Sequence, residues 1–275
     1  MNPVSNTARW VAAVRAEEAG RPDRLFHDPL ARALAGEEGF AMREASLAAG
    51  GPQADPGPYI VIRTRFFDDF VAGAAAEGVR QFVTVAAGMD ARAFRLPWPD
   101  GTTLYEVDRP EVLALKGEIL ARERVEPACV RVPVGGDLEG EWVAPLQEAG
   151  FAPGQRSCWL AEGLTPYLTE AAVRGLLSAL SSVATAGSRL GIDFVGASFF
   201  SSPFTRDSLK MMAERGMGWH FGTDEPEALL DEYGWRAEAI QPGEEGAHFG
   251  RWPYPPLPRE QKEFPHSFLV TAIRR

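Results

Sequence analysis

The sequence predicts an α/β fold in which helices cover both faces of a mostly parallel sheet. Three observations indicate this class. A chain of 275 residues suits one α/β domain better than a multi-domain array. Residues 81–195 alternate strand-length apolar runs with helical stretches, which is typical of parallel sheets. Hydrophobic residues at 45% and charged residues at 24% are ordinary globular values, which excludes bulk disorder.

The first zone of this single predicted domain (1–275), residues 1–80, is expected to be helical. Three helices follow from capping residues, apolar stripes and terminal glycines. We expect one from Ser5 or Asn6 to Gly20, one starting at Asp28-Pro29, and one from Tyr59 to Gly78 after a loop at 50–58.

The second zone, residues 81–195, carries the predicted sheet, and the strand ends described below make it the expected cofactor-binding core. Its strand-length runs are rich in Val, Leu, Ile, Cys and aromatic residues. These runs are Gln81–Ala86, Thr103–Val107, Ala128–Pro133, Ser157–Ala161 and Arg189–Phe194. Between the last two, apolar residues at Val173, Leu176, Leu177 and Leu180 follow the i, i+3, i+4, i+7 spacing. This spacing predicts a helix that covers the sheet.

The third zone, residues 196–266, is expected to form cap insertions around a sixth strand at Trp235–Ile240, with a helix at Pro226–Tyr233. Residues 267–275 contain a last strand, Ser267–Ile273, which we expect to be an antiparallel edge strand. The zone is rich in Phe, Trp and Met, which indicates either a pocket for a flat or apolar substrate or a small cap core.

Composition excludes several partners and sites. The net charge of −10 argues against a nucleic-acid surface and against docking on anionic membranes. No apolar stretch reaches the ~18 residues of a membrane span, and the N-terminus does not have the pattern of a secretory signal. Cys129 and Cys158 have neither a disulfide nor a metal-ligand spacing. We therefore expect a cytoplasmic protein without a metal site. A homodimer is among the options for its assembly.

A glycine and an acid at the ends of the first two strands predict a nucleoside site. Gly88 follows the first strand at a strand-to-helix turn, where a ligand can approach the backbone closely. Asp108 ends the second strand 20 residues later, which suits the two hydroxyls of a ribose. Positions 86 and 91 are alanine, so the G-x-G-x-x-G pattern of pyrophosphate cofactors is missing. A competing interpretation of Asp108 is a solvated or capping aspartate.

Acids also follow the third and fourth strands, at Asp137 and Glu162. The carboxyl ends of parallel strands face the crevice where open α/β sheets bind ligands. We therefore expect the four strand ends to form one site, although Asp137 alone could simply cap a turn.

Seven segments together resemble one family along the whole chain. They are SNTARWVAAVRA at 5–16, LFHDPLARAL at 25–34, IRTRFFDDF at 62–70, VAAGMDARAFRL at 85–96, YEVDRPEVLALK at 105–116, GGDL at 135–138 and AEGLTPYL at 161–168. The chain resembles the leucine carboxyl methyltransferase-like family, especially its bacterial S-adenosylmethionine-dependent branch. The resemblance implies the class I methyltransferase fold, a Rossmann-like seven-stranded sheet with an antiparallel last strand, and S-adenosyl-L-methionine as the cofactor.

The resemblance also implies a role for each matching residue. Arg63 would bind the methionine carboxylate of the cofactor as a bidentate fork, and Glu162 would lie by the amino group and the sulfonium. The other implied cofactor contacts are Gly88 at the methionine and ribose, Asp108 at the ribose hydroxyls, and Asp137 and Leu138 at the adenine. Arg9 aligns with a basic residue near the cofactor carboxylate, or belongs to a solvated helix face.

Two positions depart from the family pattern. Ala86 replaces the first glycine of the G-A-G turn, which we expect to permit cofactor binding only if its φ is negative. Glu139 replaces an arginine that helps the eukaryotic members bind a peptide's terminal carboxylate. The second departure favours a small-molecule substrate over a protein tail.

These observations predict an O-methyltransferase acting on a carboxylate of a polyketide or other secondary metabolite. A carboxylate is ionised at neutral pH and needs no general base, whereas a phenolic hydroxyl, the second choice, would need one. Candidate catalytic residues are Tyr167, His220 and His248. Two further hypotheses are a cofactor-binding relative without turnover and a nicotinamide oxidoreductase, and the missing glycine pattern argues against the oxidoreductase.

Overall fold

A mixed sheet of seven strands lies at the centre of the computed structural model, which describes residues 3–50 and 55–275. The strands are β1 (Gln81–Val85), β2 (Thr103–Asp108), β3 (Val130–Gly135), β4 (Ser157–Ala161), β5 (Arg189–Val195), β6 (Trp235–Ile240) and β7 (Ser267–Arg274). Their spatial order is β3-β2-β1-β4-β5-β7-β6, and β1 to β5 are parallel. The predicted fold class is therefore confirmed.

The last strand is antiparallel as predicted, but its predicted position at an edge is wrong. β7 lies between β5 and β6, so Val270 pairs with Ile192 on one side and with Ala239 on the other. The physical reason is its apolar sequence, because Phe268, Leu269 and Val270 are all buried. The edge is taken by β6, whose residues after Trp235 are half-buried or exposed.

Three helices precede the sheet: α1 (Pro3–Ala19), α2 (Ala31–Gly50) and α3 (Gly57–Ala76). α1 begins at Pro3, so Ser5 and Asn6 lie inside the helix, and the predicted N-cap at these residues is wrong. Proline suits a first turn because it lacks the N–H group that would be unpaired there. Of the predicted loop at 50–58, residues 51–54 lie outside the described residues.

The helices of the middle zone are α4 (Arg92–Arg95), α5 (Pro110–Glu123), α6 (Val143–Glu148) and α7 (Glu170–Val183). α7 confirms the predicted sheet-covering helix, because its apolar stripe is fully buried against the sheet. Its first turn is capped by Thr169, whose hydroxyl accepts a hydrogen bond from the Ala172 amide at 3.2 Å.

The third zone contains α8 (Ser198–Ser201), α9 (Arg206–Glu214) and α10 (Pro226–Asp231) around β6. α10 lies inside the predicted helix at 226–233. α9 buries none of its residues, so it is held at the surface of this zone. None of the helices in the described ranges is long and apolar enough to cross a bilayer.

Candidate functional site

A cleft with about 1160 Å³ of empty space, including its mouth, opens at the carboxyl ends of β1 to β4. Strand order reverses between β1 and β4, and open α/β sheets bind their ligands at such a switch point. Eight predicted site residues line the cleft: Arg63, Ala86, Gly88, Asp108, Asp137, Leu138, Glu162 and Tyr167. α1 contributes a further wall through Ala8, Val11 and Arg15.

The turn after β1 and the last residue of β2 build the end of the cleft where the ribose is expected. Asp108 accepts hydrogen bonds from the Gly88 amide at 2.6 Å and from the Arg109 amide at 2.7 Å, one on each carboxylate oxygen. Burial raises the pKa of Asp108 above its ordinary value, although these two amides oppose the shift. Each oxygen retains a lone pair, so the carboxylate can still accept from the two hydroxyls of a ribose.

The same turn requires glycine at position 88. Gly88 has φ +45°, and a Cβ there would lie 2.9 Å from the Cβ of Ala8 on α1. The missing side chain lets α1 pack closely against this turn, and Gly88 lines the cleft where the nucleoside of the cofactor is expected.

Ala86 contradicts the expectation of a negative φ. Its φ is +53°, in the left-handed region that favours glycine. Ala86 therefore adopts a conformation that glycine would adopt more readily, and it lines the cleft.

Asp137 and Leu138 lie in the turn after β3 and line the end of the cleft where the adenine is expected. Asp137 is exposed, and one carboxylate oxygen accepts from the Glu139 amide at 3.1 Å, which fixes the turn. Leu138 is half-buried and packs against the main core. Glu139 also lines the cleft and is exposed.

The methionine end of the cleft is an assembly of buried charges. Arg63 on α3 donates from Nε to Glu162 at 3.0 Å and from Nη1 to Asp193 at 3.1 Å. The other oxygen of Glu162 lies 2.8 Å from Nη2 of Arg92. Burial alone would raise the pKa of Glu162, but Arg92 and Arg63 together hold it below its ordinary value. Glu162 is therefore a fixed anion.

Two guanidinium nitrogens of Arg63 are bound to protein carboxylates. Nε donates to Glu162 and Nη1 donates to Asp193, while Nη2 lies beside Gly163. Gly163 makes room there, since a Cβ at this position would lie 2.9 Å from Nη2. The predicted bidentate fork to the cofactor carboxylate stays a prediction, and Nη2 is the atom that it would use first.

Sequence reasoning missed a second layer of charges that holds these groups. Arg92 on α4 is buried and donates to Asp68 at 2.8 Å, to Asp90, and to the Thr64 carbonyl at 3.3 Å. Arg95, one turn later, donates from both Nη atoms to Asp68. The spacing of Arg92 and Arg95 could have predicted this layer. They lie at i and i+3 directly after the glycine turn, where charged side chains face the site.

Three predicted site residues lie outside the cleft. Arg9 donates from Nε to the Ala35 carbonyl at 3.0 Å and pairs through Nη2 with Glu38 at 2.8 Å, so it joins α1 to α2. His220 and His248 are exposed, and Nδ1 of His248 accepts from the Gly250 amide at 2.9 Å. None of these three is among the described residues that line the cleft, unlike Tyr167.

The parallel sheet, the antiparallel last strand inserted before the sixth, and the cleft at the switch point define the class I methyltransferase fold. A DUF574-family protein from Streptomyces avermitilis shares this fold with a TM-score of 0.65 at 16% identity, covering 98% of this chain and 97% of that one. Magnesium protoporphyrin IX methyltransferase from Synechocystis, solved with bound S-adenosylhomocysteine, aligns with a TM-score of 0.50 at 14% identity over 87% and 95%.

The chain belongs to the leucine carboxyl methyltransferase family, because the sequence model of that family matches residues 8–181. A relative from Parafrankia is 38% identical over 98% of this chain and 87% of its own length. A relative from Streptomyces avermitilis is 39% identical over 98% and 95%. Both are provisionally named S-adenosyl-L-methionine-dependent methyltransferases. These comparisons confirm the family, the fold class and the cofactor that the sequence predicted.

Proposed function

We propose that this protein transfers a methyl group from S-adenosylmethionine to a carboxylate oxygen of a small molecule. The proposal rests on the charged groups at the methionine end of the cleft and on the lack of a base beside them. Glu162 is ion-paired with two arginines, and no histidine lines the cleft in the described part of the chain. A carboxylate acceptor is ionised at neutral pH and needs no base there.

The cofactor supplies an electrophilic methyl group on a sulfonium. The protein's part is to bind, align and exclude water. Asp108 and the Gly88 turn would hold the nucleoside, while Arg63 and Glu162 would orient the methionine end. Because Glu162 stays anionic, it would also offset the positive charge of the sulfonium in the ground state.

The acceptor side of the cleft supports a flat or apolar scaffold. Tyr167 lines the cleft, and its ring meets Trp219 edge-on at 6.3 Å between centroids. Phe199 packs against the same indole at 5.4 Å. These three aromatic rings would form one wall of the acceptor site. Glu139 lacks the positive charge with which the eukaryotic family members bind a peptide's terminal carboxylate, and this supports a small-molecule acceptor over a protein tail.

A phenolic acceptor is the second candidate, and one contact favours it. The His220 amide donates to the Pro166 carbonyl at 2.6 Å, which holds this histidine beside the loop of Tyr167. A modest movement of the exposed ring would bring a base toward the rim of the cleft. A cofactor-binding relative without turnover is the third candidate.

Mass spectrometry of products from a panel of aromatic acids and phenols tests the proposal. We expect a base-labile methyl ester, a rate nearly constant from about pH 6 to 9, and less than about tenfold loss of kcat in His220→Ala. His248→Ala is the matched control, because its ring belongs to a remote exposed turn. A base-stable methyl ether, with a loss of roughly 10²-fold or more in His220→Ala alone, would establish the phenolic reaction instead. Cofactor binding without any product would favour the third candidate.

A further inference from the structure

Within residues 3–50 and 55–275, the hydroxyl of Thr64 is a buried polar group without a hydrogen-bond partner. Thr64 is 1% exposed and follows Arg63 on α3. Its backbone carbonyl accepts from Nη2 of Arg92 at 3.3 Å, whereas its Oγ1 atom makes no hydrogen bond to any described residue. A buried hydroxyl that has left water without a replacement partner costs free energy. Such a group in a binding cleft indicates that a ligand completes it.

The surroundings of Thr64 define the ligand that fits. Thr64 lines the cleft together with Arg63, Arg92 and Glu162, so it belongs to the methionine end. Two cations flank this corner: Arg92, and Arg63, whose Nη2 lies beside Gly163. A hydroxyl and a guanidinium N–H are both donors. One acceptor with negative charge would satisfy both, and a carboxylate has the geometry to do so.

We propose that Thr64 donates a hydrogen bond to the carboxylate at the amino-acid end of the cofactor, next to Nη2 of Arg63. This inference rests on cofactor binding at the cleft and adds a residue that contacts only the amino-acid end of the cofactor. Asp108 would hold the ribose at the other end of the cleft. Ligands that lack the amino-acid end therefore test the Thr64 contact separately from the Asp108 contact.

Isothermal titration of Thr64→Val with three ligands tests the assignment. Valine has nearly the shape of threonine and lacks only the donor. We expect S-adenosylhomocysteine to bind on the order of tenfold more weakly than to the natural protein, since a charge-assisted hydrogen bond is lost. Methylthioadenosine, which lacks the amino-acid end, and decarboxylated S-adenosylhomocysteine, which lacks only the carboxylate, should bind Thr64→Val as they bind the natural protein.

Thr64→Ser is the matched control, because it keeps the donor and should bind S-adenosylhomocysteine within about threefold of the natural protein. The ligand-free melting temperature of Thr64→Val should be unchanged or higher, because an unsatisfied buried hydroxyl has been replaced by a methyl group. A purely structural hydroxyl would give the opposite result. If valine lowers the melting temperature, comparison of Thr64→Ala with Thr64→Ser isolates the donor.

Equal affinity of Thr64→Val and the natural protein for S-adenosylhomocysteine would overturn the inference. So would an equal loss for all three ligands, which would indicate a general distortion of the cleft. Failure of the natural protein itself to bind S-adenosylhomocysteine would refute the cofactor site as a whole, and with it the proposed function. Binding of S-adenosylhomocysteine to the natural protein thus distinguishes a failure of the Thr64 inference from a failure of the proposed function.

Discussion

At the scale of single residues, the turn after β1 carries a conformation that its sequence does not favour. Ala86 at φ +53° and Gly88 at φ +45° lie two residues apart and both line the cleft. Glycine adopts this region freely, whereas alanine is disfavoured by its Cβ. The protein therefore maintains a strained alanine at the cofactor site, where strain is commonly retained.

Replacing Ala86 by glycine should relieve this strain. We expect Ala86→Gly to raise the free energy of unfolding by about 0.5–1 kcal/mol, because the relief exceeds the added flexibility of the unfolded chain. Urea denaturation measures this. Gly88→Ala is the matched control and should destabilise by more than about 1 kcal/mol, since its Cβ would also meet Ala8. If Ala86→Gly has a lower free energy of unfolding than the natural protein, the packing of the alanine side chain stabilises the protein by more than its backbone strain destabilises it.

At the scale of elements, β4, α3 and α4 are joined by buried charges and not by apolar packing alone. Glu162 at the end of β4 pairs with Arg63 from α3 and with Arg92 from α4. Removing one member of a buried ion pair leaves an uncompensated charge. The network therefore fixes how these three elements meet at the methionine end of the cleft.

Neutralising Glu162 should lower stability in a pH-dependent way. We expect Glu162→Gln to cost roughly 1–3 kcal/mol at pH 7, because each arginine keeps another acid as partner. The pKa of Glu162 is held below its unfolded value, so its contribution is present above about pH 4.3 and is lost as the pH falls through the folded pKa. Urea denaturation at several pH values should thus show the two proteins converging in strong acid.

Glu118→Gln provides the comparison, since Glu118 is exposed and pairs with Arg122 at 3.7 Å on the surface of α5. It should change stability by less than about 0.5 kcal/mol at any pH. A Glu162→Gln difference as small as this one would show that the buried pairs do not hold the three elements together.

At the scale of the whole molecule, all three zones of the chain meet at one site. α1 and α3 form walls of the cleft, and the turns after the parallel strands form its floor. The third zone packs Trp219 against Tyr167, which lines the cleft. A ligand in this cleft would therefore contact the first two zones directly and the third through Tyr167. We still expect from the net charge of −10 that nucleic acids and anionic membranes are not partners.

S-adenosylhomocysteine should accordingly stabilise the whole protein. At 100 times its dissociation constant it adds about 2.7 kcal/mol, which for a domain of this size is a rise of roughly 5–10 °C in melting temperature. Differential scanning fluorimetry measures the shift, with NAD at equal concentration as the control ligand. Asp108→Ala should reduce the shift, because the expected contact with the ribose would be lost. An equal response to NAD would mean that the shift does not report specific binding of S-adenosylhomocysteine.

Local sequence determined the strands and the positions of the site's main residues. Ser157–Ala161 and Trp235–Ile240 were predicted with the bounds that the structure has. Gly88 and Asp108 were located because a strand, a turn and an acid follow each other at a spacing that parallel sheets repeat. Such features depend on neighbours within about 20 residues, so the sequence alone carries them.

Tertiary structure decided everything that joins distant parts of the chain. The interior position of β7, the pairing of Arg63 with Glu162, and the unpaired hydroxyl of Thr64 depend on elements that lie far apart in sequence. Arg9 aligns with a site residue but packs on α2, because its partners there are set by how two helices meet. Ion-pair partners and burial are properties of the folded chain, and they cannot be predicted from the spacing of neighbouring residues.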